Sequence, residues 1–467
     1  MSNPTKFFNN PTKNSAKAPA NVDLMIEARY IVPMSTDNHL LENYAVMIEA
    51  GIIIELLPIA EARQRYTATS LVCLDEHVLI PGLINLHSHA AMSLMRGIAD
   101  DLPLMTWLEK HIWPTEQAVI SERYVKDATL LACAEMLGGG TTCFNDMYFY
   151  PQESAAAAKQ AGMRANLGLV VLEFPTAYAS DADDYLQKGF EAHDSWRGDP
   201  LITSSIAPHA PYTVSNQTFE KVITYAEQLS LGIHTHLHET RAEIAQSEAE
   251  YGLRPLQRMA SFGLLGPNLI AAHCVHLQNQ EMDMLAEFGC HVAHCPSSNL
   301  KLGSGIAPIT TLLAKQVNVG LGTDGPASNN RMDMFAEMRL AALLAKGANE
   351  VATAIPAYQA LQMATINAAK AMGLESKIGS IKVGKLADIA AVRLDDMMIA
   401  PYYDPISHLV YACGREHVTH TWVAGELRYC NGIYAGIEPH ELKEIIDIWQ
   451  PKLTNLRLKQ GNQITAS

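Results

Sequence analysis

Eight short apolar runs recur along the middle of this chain, each followed by a stretch able to form a helix: residues 78–89, 141–146, 165–172, 201–209, 232–236, 269–273, 291–295 and 317–324. Runs that are apolar throughout belong to strands buried on both faces, as in parallel sheets. Alternation of strand and helix predicts an α/β protein with a parallel sheet, and eight repeats predict that the sheet closes into a (β/α)8 TIM barrel rather than staying open. Helices are expected over 122–137, 215–229, 278–288 and 331–346, where apolar residues recur near helical spacing.

Both flanks read differently. Residues 24–32, 44–57 and 71–74 are short, strand-like and separated by turn formers, and 378–392 and 417–429 repeat that character. A small β-sandwich domain built from both chain ends is therefore expected. The boundaries are a flexible tail over 1–22, the first β part over 23–80, the barrel over 81–377, the second β part over 378–440, and a C-terminal helix and tail over 441–467. A length of 467 residues suits one large and one smaller domain.

The composition narrows the partners. With 48% hydrophobic and 18% charged residues the chain can bury a sizeable core, and a net charge of −15 without a basic run speaks against nucleic acid and anionic membranes. No apolar stretch reaches the roughly 18 residues of a membrane span. Eight scattered cysteines without a Cys-x-x-Cys, and an N-terminus without an apolar signal core, fit a reducing cytoplasm. A small-molecule partner is expected, and a homo-oligomer is compatible with the sequence.

The residues that end the apolar runs carry the chemistry. The first run stops at His87-Ser-His89, and residues at i and i+2 of a strand face one way. His209, His236, His273 and Asp324 end four of the others, at the face where α/β barrels keep their active sites. Imidazoles and a carboxylate converging there suit a borderline metal such as zinc. His234, His236 and His238 share one strand face, so spacing alone does not choose among them.

Residues 81–89, 92–116, 207–212, 236–240, 272–277, 296–302 and 322–330 together resemble the amidohydrolase superfamily. Within it the chain is similar to the 5-methylthioadenosine/S-adenosylhomocysteine deaminases of the chlorohydrolase-like branch, over about residues 23–430. The resemblance implies that His87, His89, His236 and Asp324 hold one Zn2+ per subunit. It selects His236 through its His-x-x-Glu match and leaves His238 a structural part. It further implies that Glu239 shuttles protons and meets the substrate, that His273 orients the reacting water, that Glu116 receives ribose hydroxyls, and that His209 contacts the substrate. Asp324 would also serve the chemistry as a proton acceptor. The implied reaction is hydrolytic release of ammonia from the adenine of a nucleoside, because zinc lowers the pKa of a bound water towards about 7.

Two rival readings remain at this point: a relative acting on a free purine, pterin or triazine, and a barrel that only binds. Glu116 separates the first, since a ribose-binding carboxylate has no work to do on a free base. A filled set of ligands and a shuttle speak against the second. Other motifs weigh less. Cys290-His-Val-Ala-His-Cys295 alternates across one strand without a second ligand pair, and Gly320-x-Gly322-x-x-Gly325 encloses Asp324, unsuited to a pyrophosphate. No lysine lies in 141–146 or the next strand, which argues against two-metal, carbamylated-lysine chemistry. After residues 169–175 no arginine follows until Arg197, so small 5′ groups such as methylthio are favoured over homocysteine.

Overall fold

A computed structural model describes residues 19–35 and 39–464. Four strands come first: β1 Ala20–Ile31, β2 Leu41–Glu49, β3 Ile52–Pro58 and β4 Tyr66–Pro81. Eight more follow: β5 Leu83–Ser88, β6 Thr141–Tyr148, β7 Arg164–Val171, β8 Ile202–Pro208, β9 Gly232–Leu237, β10 Leu269–His273, β11 His291–His294 and β12 Asn318–Leu321. The last are β13 Ile389–Arg393, β14 Val418–Val423, β15 Glu426–Cys430 and β16 Ile433–Tyr434.

Strands β5 to β12 pair in sequence order, all parallel. The ends of the sheet meet, since the Asp324 N–H after β12 donates to the His87 carbonyl of β5 at 2.9 Å. Every residue of β5, β6, β7, β10 and β11 is buried, which is why these strands lack the polar–apolar alternation of a half-exposed sheet. Helices Glu122–Gly138, Asn216–Leu229, Asn279–Glu287 and Met334–Asn349 lie within a few residues of where the helical spacing predicts them.

The remaining strands form one sheet from both chain ends, in the order β16-β15-β14-β13-β4-β1-β2-β3. β13 joins the halves by pairing antiparallel with β4, Ile389 opposite Pro81. The run 44–57, which reads as one strand, is a hairpin: Ala50 and Gly51 both have positive φ, 48° and 77°, the geometry of a tight two-residue turn between twisted strands. The run 78–89 also divides. Val78–Pro81 ends β4 in the end sheet and Leu83 starts the barrel, with Gly82 between them. A Cβ on Gly82 would sit 2.1 Å from Thr142 Oγ1, so only glycine lets the backbone pass there.

The end sheet is tied to the foot of the barrel by a buried ion pair. Arg164, the first residue of β7, meets Asp388 with Nε–Oδ2 at 3.0 Å and Nη2–Oδ1 at 3.2 Å, and Asp388 Oδ1 also accepts the Ala424 N–H at 2.7 Å. Strand β1 begins inside the expected 1–22 tail, whose residues 1–18 lie outside the described ones. The helix Pro439–Ile464 packs on helix Glu122–Gly138, where Trp449 donates to Asp127 at 2.8 Å. Among the described residues no helix is long and apolar enough to cross a membrane.

Candidate active site

The ends of β5, β9 and β10 and the turn after β12 bring their polar residues to one point. His87 is the penultimate residue of β5 and His89 follows the strand, opening a short turn over Ala90–Met95. His89 Nε2 lies 3.2 Å from His236 Nε2 and 3.2 Å from Asp324 Oδ1, and His87 Nε2 lies 3.4 Å from the same oxygen. One ligand atom from each of His87, His236, His273 and Asp324 falls within 4.8 Å of the other three. His273 and Asp324 reach the point from left-handed backbone, φ 71° and 61°, a strained conformation that clusters at functional sites.

Each ring is held from behind. The Nδ1 atoms of His89 and His236 donate to the carbonyls of Met147 and His209 at 2.6 and 2.7 Å. His273 Nδ1 donates to Asn299 Oδ1 at 2.8 Å. An oxygen of this kind accepts only, so each ring, when neutral, carries its proton on Nδ1 and turns the Nε2 lone pair to the centre. His87 Nδ1 instead faces His234 Nε2 at 2.9 Å. Asp324 Oδ2 accepts from the hydroxyls of Ser298 and Ser328 at 2.5 and 2.8 Å, while Oδ1 accepts the Gly325 N–H at 2.7 Å and faces the histidines.

These contacts set the charges. Burial would raise the Asp324 carboxyl, but the His87 and His89 rings beside it outweigh that and hold it well below the usual carboxylate range. Burial drives His236 well below its ordinary value and His87 down to about 4. The arrangement fits a metal. His87 Nε2 is buried with no hydrogen-bond partner, and imidazole lone pairs meeting a carboxylate at such distances need a cation among them. Several imidazoles and one carboxylate are a donor set for Zn2+.

The three histidines of β9 and its end part company. His236 faces the centre, His234 sits behind His87, and His238, at φ 55°, turns away to accept the Leu256 N–H on Nε2 at 3.0 Å. Glu239 is buried with Oε2 3.9 Å from His273 Nε2 and Oε1 3.4 Å from Ser304 Oγ. Burial raises its pKa. Its loop is pinned by Glu243, which accepts the N–H groups of His238 and Glu239 at 2.9 and 2.8 Å.

Glu116 stands in helix Trp113–Val119, buried, and accepts the Tyr148 hydroxyl at 2.6 Å. Burial pushes its carboxyl up to about 7 against the lowering effect of Tyr148 and His89. Glu116, His209, Glu239 and His273 line one cavity with His89, His236 and Asp324. His209 ring stacks obliquely 4.6 Å from that of His236, and burial lowers its pKa to about 3. Tyr148, Asn299, Ser298 and Ser328 join the site without being among the residues expected from the sequence. The last three lie inside the quoted motifs, and Tyr148 ends β6 at the same rim as the other site residues.

Comparison with known proteins agrees with this geometry. The model of the Amidohydrolase family matches residues 78–428. A Saccharophagus degradans protein named 5-methylthioadenosine/S-adenosylhomocysteine deaminase is 45% identical over 94% of this chain and 98% of its own length. A Methanosarcina barkeri 5′-deoxyadenosine deaminase is 42% identical over 87% of this chain and 92% of its own. The crystal structure of an adenosine deaminase from Xanthomonas campestris with bound zinc superposes with a TM-score of 0.92 at 46% identity, covering 94% of this chain and 100% of that one. A barrel closed in sequence order, a zinc-fitting set of histidines and an aspartate at its rim, and these relatives together make the chain a member of the amidohydrolase family.

Proposed function

We propose that this protein hydrolytically deaminates adenosine-type nucleosides with a modified 5′ group, releasing ammonia and leaving hypoxanthine in place of adenine. The observation that carries the reading is the meeting, in one cavity, of a zinc-fitting donor set with the buried carboxylate of Glu116, whose one hydroxyl partner is Tyr148 on Oε1 and to which a free base would offer no ribose. Relatives named for 5-methylthioadenosine, S-adenosylhomocysteine and 5′-deoxyadenosine support the nucleoside class. The barrel of residues 81–377 carries the chemistry, and 23–80 with 378–440 supports it.

His87, His89, His236 and Asp324 would hold the zinc, which supplies a Lewis acid that makes water reactive at neutral pH. His273, its Nδ1 proton given to Asn299, offers Nε2 as acceptor to the attacking water and orients it. Glu239 sits beside it and carries protons, to the ring nitrogen as water adds at the amino-bearing carbon and then to the departing ammonia. Its burial-raised pKa brings it nearer the working pH, where a shuttle is most effective. Glu116 accepts the ribose hydroxyls, and His209, which lines the same cavity, contacts the substrate.

The test is ammonia release from zinc-loaded protein offered methylthioadenosine, S-adenosylhomocysteine, adenosine, adenine and guanine side by side, with metal content measured on the same sample. Turnover of nucleosides and not of free bases is expected. Turnover confined to free bases would discard the substrate class in favour of a free purine, and none at one metal per chain would discard it in favour of pterins or triazines.

A further inference from the structure

The cavity at the barrel mouth has two compartments. The inner one, about 80 Å³, ends on His236, Glu239, His273 and Asp324. The outer one, about 640 Å³, is walled by Trp113, Pro114, Ile120, Phe149, Phe174 and Pro175. Trp113, Glu116, Phe149, Leu172 and His209 line both, so the compartments are continuous, with Glu116 and His209 at the join. The rings of Trp113 and Phe174 lie 5.9 Å apart, and Phe174 is 36% exposed, so the outer compartment reaches the surface.

We infer that the outer compartment seats the 5′ substituent of the nucleoside and selects large apolar 5′-thioethers, alkyl or aryl, over those that end in a carboxylate. The inference rests on the deaminase reading. With the amino-bearing carbon at Glu239 and the ribose at Glu116, the 5′ carbon points across the join, and the outer compartment is the space that receives what it carries.

Size and chemistry then set the preference. At about 640 Å³ the compartment far exceeds what a methylthio group fills, a water's share of liquid volume being about 30 Å³. Besides Gln117, Thr176 and His209 its uncharged walls are apolar, aromatic rings and prolines foremost, and these bind apolar groups by area removed from water. Its lining holds no lysine or arginine, and its carboxylates are Glu109 and Glu116. A homocysteine tail carries an ammonium that these carboxylates can receive, but its own carboxylate finds no cationic partner in the lining, and an unpaired charge counts against one ligand as new contacts count for another.

The experiment measures steady-state deamination by the zinc-loaded full-length protein of 5′-methylthio-, 5′-butylthio- and 5′-phenylthioadenosine and of S-adenosylhomocysteine. KM is expected to fall about 10-fold from methylthio to butylthio or phenylthio as methylene and ring area is buried. S-Adenosylhomocysteine is expected to show a kcat/KM about 100-fold below that of the phenylthio nucleoside, for want of a charged hydrogen-bond partner. Phe174→Arg, a change at the surface end of the compartment, should narrow that ratio about tenfold by supplying a cation. The inference is overturned if methylthioadenosine reacts while the larger thioethers bind no better, or if S-adenosylhomocysteine matches them in the unaltered protein. If methylthioadenosine itself is not turned over, the deaminase reading fails and takes this one with it.

Discussion

Tyr148 at the end of β6 and Glu116 in helix Trp113–Val119 share a hydrogen bond of 2.6 Å in the wall between the zinc-fitting residues and the outer compartment. The phenol is the donor, so the bond favours the ionised carboxylate, while burial disfavours it and brings Glu116 to about 7. Only the ionised form is acceptor alone. KM for nucleosides is therefore expected to fall as pH rises through about 7, and Tyr148→Phe should move that inflection upward. A KM profile measured from about pH 5.5 to about pH 8.5 checks both, with Glu116→Gln flattening it.

Removing the shuttle and removing a ligand should look different. Glu239→Gln is expected to keep one zinc per chain and lose about 10²–10⁴-fold in kcat. His87→Ala should lose the metal itself, since its orphaned Nε2 is one of the atoms at the centre. Metal analysis on both purified variants, beside turnover, separates the two roles. Near-normal rates in Glu239→Gln would remove the residue from the mechanism.

The supports behind the site make a subtler difference. Ser298→Ala takes one of two hydroxyls from Asp324 Oδ2 and is expected to weaken zinc binding about 10-fold or more. Asn299→Leu leaves the ligands alone but frees the His273 ring, so kcat should drop with zinc affinity nearly unchanged. Competition with a chelator of known affinity measures the first effect. An equal loss of affinity in both variants would mean that His273 holds the metal rather than orienting water.

Arg164 and Asp388 give a stability test far from the chemistry. Asp388→Ala leaves a buried guanidinium unpaired and is expected to destabilise the fold by about 3–5 kcal/mol. Replacing both partners with apolar residues of similar size should recover much of that. Thermal unfolding of the single and double variants, at equal zinc loading, is the measurement.

Much of this was legible in the residues. The eight apolar runs mark the eight barrel strands because strands buried on both faces cannot alternate. The polar residue ending a run stands out for the same reason, which exposed His87, His209, His236, His273 and Asp324. The breaks within runs were not legible. The chain passes from β4 to β5 through Gly82 without leaving the protein interior, so hydrophobicity does not change where the sheet does. The hairpin at Ala50–Gly51 is hidden likewise inside an apolar stretch. Tyr148, Ser298 and Ser328 act on partners 32, 26 and 4 residues away, and only the fold shows that the first two meet theirs.

Gly82 gives the crossing between sheets a meaning for the chemistry. The strand that carries the first histidines continues, through one residue, a strand of the end sheet whose neighbours come from the far end of the chain. The position of His87 and His89 is thus a lever with its fulcrum at Gly82 and its long arm in β4. Damage to β13, more than 300 residues later in the sequence, presses on that arm. Without β13 every zinc-fitting side chain would remain in the chain, while β4 would lose the neighbour that steadies the strand aiming His87 and His89.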